Sequence, residues 1–272
     1  MSKYLTEVLV QPNGSHGAHW KMNGKLFPYL RPNPEAELRL FCFPYAGAGA
    51  SIYRTWPQKL PPIVEVRAVE LPGRGTRLRE RPFLGLLPLV EHLGEALEPY
   101  LDKPFVFFGH SMGALIGFEL ARLLRREGKS LPLHLLVSGH RAPHLPSKHR
   151  PIHSLPEPEF LEELKNLDGT PEAVLQNSEL MELLSPVLRA DFSVCETYYY
   201  HEEPPLSCPI TAFGGTEDRD VDRSMLEPWR LHTEGRFTLH MLPGNHFFLQ
   251  SSENELLRIV RDVLKQSVMQ VV

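Results

Sequence analysis

The sequence predicts an α/β domain with a mostly parallel sheet covered by helices on both faces. Three observations carry that expectation. Short apolar strands alternate with amphipathic helices along most of the chain. One of those strands, Phe105-Val106-Phe107-Phe108, is apolar on both faces, as a strand buried inside a parallel sheet must be. It runs through a Gly-x-Ser-x-Gly turn directly into an amphipathic helix.

The elements follow in order. Residues 1–36 are polar with Gly, Pro and Asn interspersed, and read as an extension leading into the domain. Leu38 to Phe43 is a first strand, stopped by Pro44 and a Gly/Ala-rich turn. Val64 to Leu71 alternates like a second strand and ends at Pro72-Gly73, and residues 88–101 have a helical pattern. After the Phe105 strand comes a helix from Met112 to Arg126, with Gly128 where a C-cap is wanted. Leu133–Val137, Ile210–Phe213 and Phe237–Leu242 are further strands, and an amphipathic helix from Glu253 to about Lys265 closes the domain.

Residues 150–203 break the alternation. Helices are expected starting in 155–160, over 179–184 and over 186–199, with no strand among them. A helical insertion between two strands of such a sheet falls over the strands' C-terminal ends, where ligands bind, and is the candidate lid. The core is then 37–149 together with 204–272.

Composition narrows the function classes. The 272 residues fit one large α/β domain with an inserted segment, and 42% hydrophobic residues can fill its core. A formal net charge of -4 without a long basic tract argues against a nucleic-acid partner. No apolar run approaches the roughly 18 residues of a membrane span, and the first residues do not read as a secretory signal. Cys42, Cys195 and Cys208 are far apart and odd in number, which suits neither a disulfide framework nor a metal site. A reducing cytoplasm is the expected compartment.

The chemistry centres on Gly109-His110-Ser111-Met112-Gly113. Between strand and helix this motif makes a nucleophile elbow: the tight turn lifts the serine hydroxyl off the sheet and aims the helix N-terminus at the reaction centre. A serine needs a base, and the base an orienting acid, each beyond a later strand in the order serine, acid, histidine. The loop after Ile210–Phe213 offers Asp218, with Glu217, Asp220 and Asp222 as alternatives that spacing does not separate. The loop after Phe237–Leu242 offers His246, the best placed of 13 histidines; His232, His240 and His110 read as structural. The oxyanion needs two N–H donors. One is the backbone of Met112, and the other comes from the loop Pro44 to Gly49. Arg74, Arg77, Arg79 and Arg81 cluster after Leu71-Pro-Gly and read as a solvated loop, with contact to an acidic protein partner or to a phosphate as the rival reading.

Phe41-Cys-Phe-Pro-Tyr-Ala-Gly47, Leu71-Pro-Gly-Arg-Gly75, the elbow, Arg189-Ala-Asp-Phe192, Gly214-Gly215 followed by Asp218, and Pro243-Gly-Asn-His-Phe-Phe-Leu249 together resemble the type II thioesterases. These stand-alone thioesterases accompany nonribosomal peptide and polyketide synthases, and the animal medium-chain acyl thioesterase of fatty acid synthesis is a relative. The match runs from about Leu26 to the final helix. It implies an α/β-hydrolase fold with a helical lid, a triad of Ser111, Asp218 and His246, and Ala46 as the second oxyanion donor beside Met112. It also implies acyl or aminoacyl groups on the phosphopantetheine arm of a carrier protein as substrate, a monomer, and no cofactor of its own. Arg189 and Asp191 are expected to stabilise the lid. Two departures stand out: the usual doubled glycine reads Gly47-Ala48-Gly49, and the first 25 or so residues exceed what the family needs. The rival readings are an esterase or acyltransferase using the same triad, and a non-catalytic binding protein on a hydrolase scaffold.

Overall fold

The computed structural model describes residues 26–167, 169 and 172–269. Six strands form one parallel sheet: β1 (Leu38–Phe43), β2 (Val64–Ala68), β3 (Phe105–His110), β4 (Leu135–Ser138), β5 (Ile210–Gly215) and β6 (Phe237–Leu242). Their order is β2-β1-β3-β4-β5-β6. The chain leaves β1 toward one edge and β3 toward the other, so a crevice opens between the C-terminal ends of these two neighbours.

Alternation along the buried strands builds two cores, one on each face. Phe41, Phe43, Phe105, Phe107, Leu135, Val137 and Ile210 point to the first. The helices Leu86–Leu97 and Met112–Arg126 cover it through Leu89, Leu93, Leu115 and Phe118. Leu38, Leu40, Val64, Val66, Val106, Phe108 and Phe213 point to the second, under Tyr53, Trp56 and the helix Glu253–Met269. Leu26 and Phe27, inside the expected extension, are buried in the first core, and Leu26 accepts a backbone hydrogen bond from Glu70 at 2.8 Å. The rest of that extension lies outside the described residues.

Several boundaries differ from the sequence reading; one strand, β4, is Leu135–Ser138 rather than Leu133–Val137. β2 ends at Ala68, and Val69 to Leu71 continue as a buried loop. Val69 N–H still bonds the Cys42 carbonyl of β1 at 2.9 Å, after which Glu70 turns away to Leu26. β5 continues through Gly214 and Gly215, paired with Met241 and Leu242. The two expected helices around Pro186 are one, Ser178–Glu196, with Pro186 inside it. Proline removes one hydrogen bond and crowds the preceding turn. The helix runs on because Met181, Val187, Leu188 and Val194 are buried along one side, and packing outweighs one local penalty.

Between β4 and β5 the insertion carries its own small core. Ile152, Phe160, Leu164, Leu175, Met181 and Leu188 form a cluster separate from the two sheet cores. Arg189 ties it together: its guanidinium lies 4.1 Å from the Phe160 ring centroid and donates to the carbonyls of His153 and Leu155 and to Glu157.

Candidate active site

The turn from β3 into the helix Met112–Arg126 is strained at one residue. Ser111 has φ 52° and ψ -118°, the one non-glycine residue with positive φ among the described residues. Such a conformation costs about 1–3 kcal/mol and persists where the surroundings enforce it. Here they are two backbone approaches that admit no side chain. A Cβ on Gly109 would sit 2.0 Å from the Gly113 carbonyl oxygen, and one on Gly113 would sit 2.1 Å from that of Phe43. The Ser111 N–H donates to the Ser138 carbonyl at 2.7 Å, fastening the elbow to the end of β4. His110 is fully buried beneath it, its Nδ1 2.8 Å from Ser138 Oγ. Burial first, and then His246, pushes the His110 pKa well below the usual histidine value.

The loops after β5 and β6 bring an acid and a histidine together. His246 Nδ1 donates to Asp218 Oδ2 at 2.7 Å, and the Asp218 side chain is fully buried. Asp218 Oδ1 accepts the backbone N–H groups of Asp220 at 2.9 Å and Val221 at 3.0 Å. Of the four acidic residues in that loop, Asp218 is the one that meets His246. Glu217 is exposed, Asp220 lies 3.2 Å from His149 Nε2, and Asp222 caps a short helix through the N–H groups of Ser224 and Met225. With Nδ1 donating to the acid, Nε2 is the His246 nitrogen able to take a proton.

Ser111 and His246 line one cavity of about 400 Å³, without a hydrogen bond between them. Tyr45 and Ala46 flank them, from the loop after β1. The insertion supplies Leu164, Leu167, Leu188 and Phe192, and Val221 and Met225 add further apolar wall. A reacting carbonyl at Ser111 would therefore have apolar room beside it. The backbone N–H groups of Ala46 and Met112 have no acceptor among the described residues, and Met112 is the first residue of its helix, where the dipole favours negative charge. The other expected structural histidines sit elsewhere: His232 is buried against Phe118 and Trp229, and His240 stacks on Phe213.

Residues 38–265 match the protein family described as "Thioesterase domain". The chain belongs to this family. Gramicidin S biosynthesis protein GrsT of Aneurinibacillus migulanus is 48% identical over 236 residues, which cover 87% of this chain and 92% of that one. The RedJ thioesterase from the prodiginine pathway of Streptomyces coelicolor superimposes with a TM-score of 0.79 at 44% identity, covering 85% of this chain and 94% of that chain. Linear gramicidin dehydrogenase LgrE of Brevibacillus parabrevis is 49% identical over 234 residues, 85% of this chain and 89% of its own. That last name and the family disagree over the reaction. The family decides, because its match spans nearly the whole folded region. The thioesterase fold is the expected α/β-hydrolase sheet, and the protein is a thioester hydrolase.

The arginine cluster of this thioesterase is not what its sequence suggested. Arg74 and Arg77 are buried, 8% and 1% exposed, so neither belongs to a solvated loop or meets a partner. Arg77 pairs with Glu80 and donates to the Glu70 carbonyl; Arg74 makes a two-pronged pair with Asp191. Arg79 and Arg81 are the exposed members. Asp191 belongs to the insertion but reaches out of it, its Oδ2 accepting the Gly47 N–H at 2.7 Å. Sequence reasoning missed this link between the insertion and the loop after β1. The available signal was a lone acid on a helix face that otherwise packs inward.

Proposed function

We propose that this thioesterase removes acyl or aminoacyl groups from the phosphopantetheine arm of carrier proteins, clearing misprimed or stalled synthases, with Ser111, Asp218 and His246 as its triad. The observation that carries the reading is the strained Ser111 facing a cavity beside the His246–Asp218 pair. The relatives point to the same setting, since GrsT and RedJ are named for gramicidin S and prodiginine biosynthesis.

In the first step Ser111 Oγ attacks the thioester carbonyl as His246 Nε2 takes its proton. Asp218 holds the imidazole tautomer and stabilises the imidazolium. The N–H groups of Met112 and Ala46 receive the oxyanion. The C–S bond breaks, the sulfur leaves with the proton from His246, and Ser111 is acylated. A thiol with a pKa near 8.5 needs little protonation to leave. Water then gives a proton to His246, attacks the acyl-enzyme and frees the acid, and Ser111 regains its proton. No cofactor of the protein's own enters this cycle.

Residues 150–203 act as the lid over a core of 37–149 and 204–272, and the apolar wall that they supply receives the acyl chain. The protein works as a cytoplasmic monomer, with neither membrane nor nucleic acid as partner. No described helix is long and apolar enough to cross a membrane, and Cys42, Cys195 and Cys208 are free, as suits a reducing compartment.

The test is mass-spectrometric hydrolysis of an acetyl-loaded carrier protein by wild type and Ser111→Ala, with an oxygen ester and an acyl acceptor in parallel. Loss of acetyl with wild type alone supports the reading. Preference for the oxygen ester, or transfer to the acceptor, would replace it with an esterase or an acyltransferase. Binding without turnover by either protein would replace it with a binding module.

A further inference from the structure

The loop after β1 makes a tight turn in front of the elbow. Ala48 N–H donates to the Tyr45 carbonyl at 3.0 Å, and Gly47, third in the turn, has φ 78°. These are the marks of a type II turn, with Ala46 and Gly47 at its corner. That bond closes the turn without engaging the N–H groups of its two corner residues, and Ala46 lines the cavity with Ser111.

A buried ion pair from elsewhere holds it. Asp191 Oδ2 accepts the Gly47 N–H at 2.7 Å and Arg74 Nη1 at 2.6 Å, and Asp191 Oδ1 accepts Arg74 Nη2 at 2.7 Å. Arg74 Nη1 also donates to the Ala48 carbonyl at 3.0 Å. The pair thus grips the turn at two points, Asp191 at the N–H of Gly47 and Arg74 at the carbonyl of Ala48. Farther along, Glu70 Oε1 accepts the Ala50 N–H at 3.1 Å. Asp191 is 3% exposed and Arg74 8%, so water does not compete for the bonds between them. Asp191 lies on the helix Ser178–Glu196, whose Leu188 and Phe192 form cavity wall. Leu188 also packs on the turn, where a Cβ at Gly47 would come 2.5 Å from Leu188 Cδ2.

We propose that Asp191, oriented by Arg74, is a positioning residue for the oxyanion donor Ala46, so that the lid helix carries the anchor of the oxyanion loop. This rests on the triad and oxyanion reading given above. The pair touches neither substrate nor Ser111 and acts through the turn. Oxyanion stabilisation needs donors fixed in advance, and misplacement by about 1 Å costs on the order of 100-fold in rate. An acyl chain against Leu188 and Phe192 bears on the same helix that sets the donor, which links filling of the pocket to assembly of the oxyanion hole.

The test uses the full chain and three variants. The double variant Arg74→Met with Asp191→Leu removes both charges together, so that no buried charge is left unpaired, a replacement that folds tend to accept; the Gly47 N–H and the Ala48 carbonyl lose their partners, which is the perturbation the test needs. Its kcat should fall roughly 10- to 100-fold with KM within about threefold. Phosphonylation of Ser111 by a fluorophosphonate should slow by the same factor, and the pH midpoint of kcat should not move. Asp191→Asn keeps an acceptor for Gly47 and should hold kcat within a few-fold of wild type. Arg74→Lys keeps the charge but loses the fork, and should lose about fivefold in kcat; it carries the test should the double variant fail to fold. Wild-type kcat and labelling in the double variant, or in Arg74→Lys, would overturn the proposal, as would a loss confined to KM. Ser111→Ala is run beside them: turnover or labelling that survives it refutes the parent reading, whatever Asp191 does.

Discussion

His246 and Asp218 are joined by a 2.7 Å hydrogen bond through Nδ1, and the acid's other oxygen is held by two backbone N–H groups. The carboxylate therefore cannot turn away from the imidazole without giving up both. Asp218→Asn preserves the shape but offers a donor or a weaker acceptor to Nδ1, and removes the charge that stabilises the imidazolium. We expect kcat to fall by roughly 10³- to 10⁴-fold with little change in KM. Steady-state kinetics on an acyl-pantetheine thioester checks this, and a loss below tenfold would take Asp218 out of the triad.

The elbow glycines make a prediction about folding. Gly113→Ala drives a Cβ to 2.1 Å from a backbone oxygen of Phe43, which no side-chain rotation relieves. Gly128, at φ 65°, has nothing within 4 Å of a built Cβ. Gly113→Ala should cost at least about 3 kcal/mol, from overpacking in a rigid place. Gly128→Ala should cost only about 1 kcal/mol, from its left-handed backbone. Urea unfolding of both variants separates the two mechanisms, and equal losses would show that the close approach does not matter.

What the sequence made legible follows from where the information is local. Strands such as Phe105–His110 and Leu38–Phe43 announce themselves through unbroken apolar runs, and the elbow through its two glycines. The neighbourhood of His246 could be read because each loop follows its own strand. Pro186 misled because proline is a local signal, and the burial that overrides it comes from residues far along the chain. The arginines misled for the same reason. Arg74 and Asp191 are 117 positions apart, and neither residue type reveals by itself that the other waits across the fold. Spacing likewise left Glu217, Asp220 and Asp222 open beside Asp218; the resemblance selects Asp218, and the loop's path gives the physical reason, since that side chain alone of the four meets His246.

The insertion's separate core predicts independent loosening. Phe160 is fully buried among Leu164, Met181 and Leu188, with Arg189 stacked on its ring. Phe160→Ala should cost about 3–5 kcal/mol of local stability. The loss should appear as faster amide exchange over 152–196, with β1 to β6 still protected. Hydrogen exchange read by mass spectrometry distinguishes this from global weakening. Uniform acceleration across the sheet would mean that the insertion and the two sheet cores unfold as one unit.

Acid should destabilise the fold through buried histidines. Burial, followed by neighbouring positive charge, lowers the pKa of His140 to about 3 and of His232 to about 4. Their side chains have other work as neutral rings: His140 Nδ1 donates to the Arg141 carbonyl, and His232 Nε2 meets His144 Nδ1 at 2.7 Å. In the unfolded chain both titrate near about 6.5. Below that value the unfolded state binds more protons than the folded one, so the stabilising contribution is complete above about pH 6.5. It is lost as pH falls toward the folded values of about 4 and 3. Each histidine then contributes a slope approaching 1.4 kcal/mol per pH unit, about a tenth to a quarter of a typical domain's stability. Urea unfolding between pH 7.5 and 4.5 measures the slope. His232→Gln should be less stable at pH 7.5, having lost its packing on Phe118 and Trp229. Its slope between pH 6 and 5 should be shallower than wild type by roughly 1 kcal/mol per pH unit. An unchanged slope would mean that His232 takes up its proton inside the fold at an ordinary pH, and that burial does not hold it neutral.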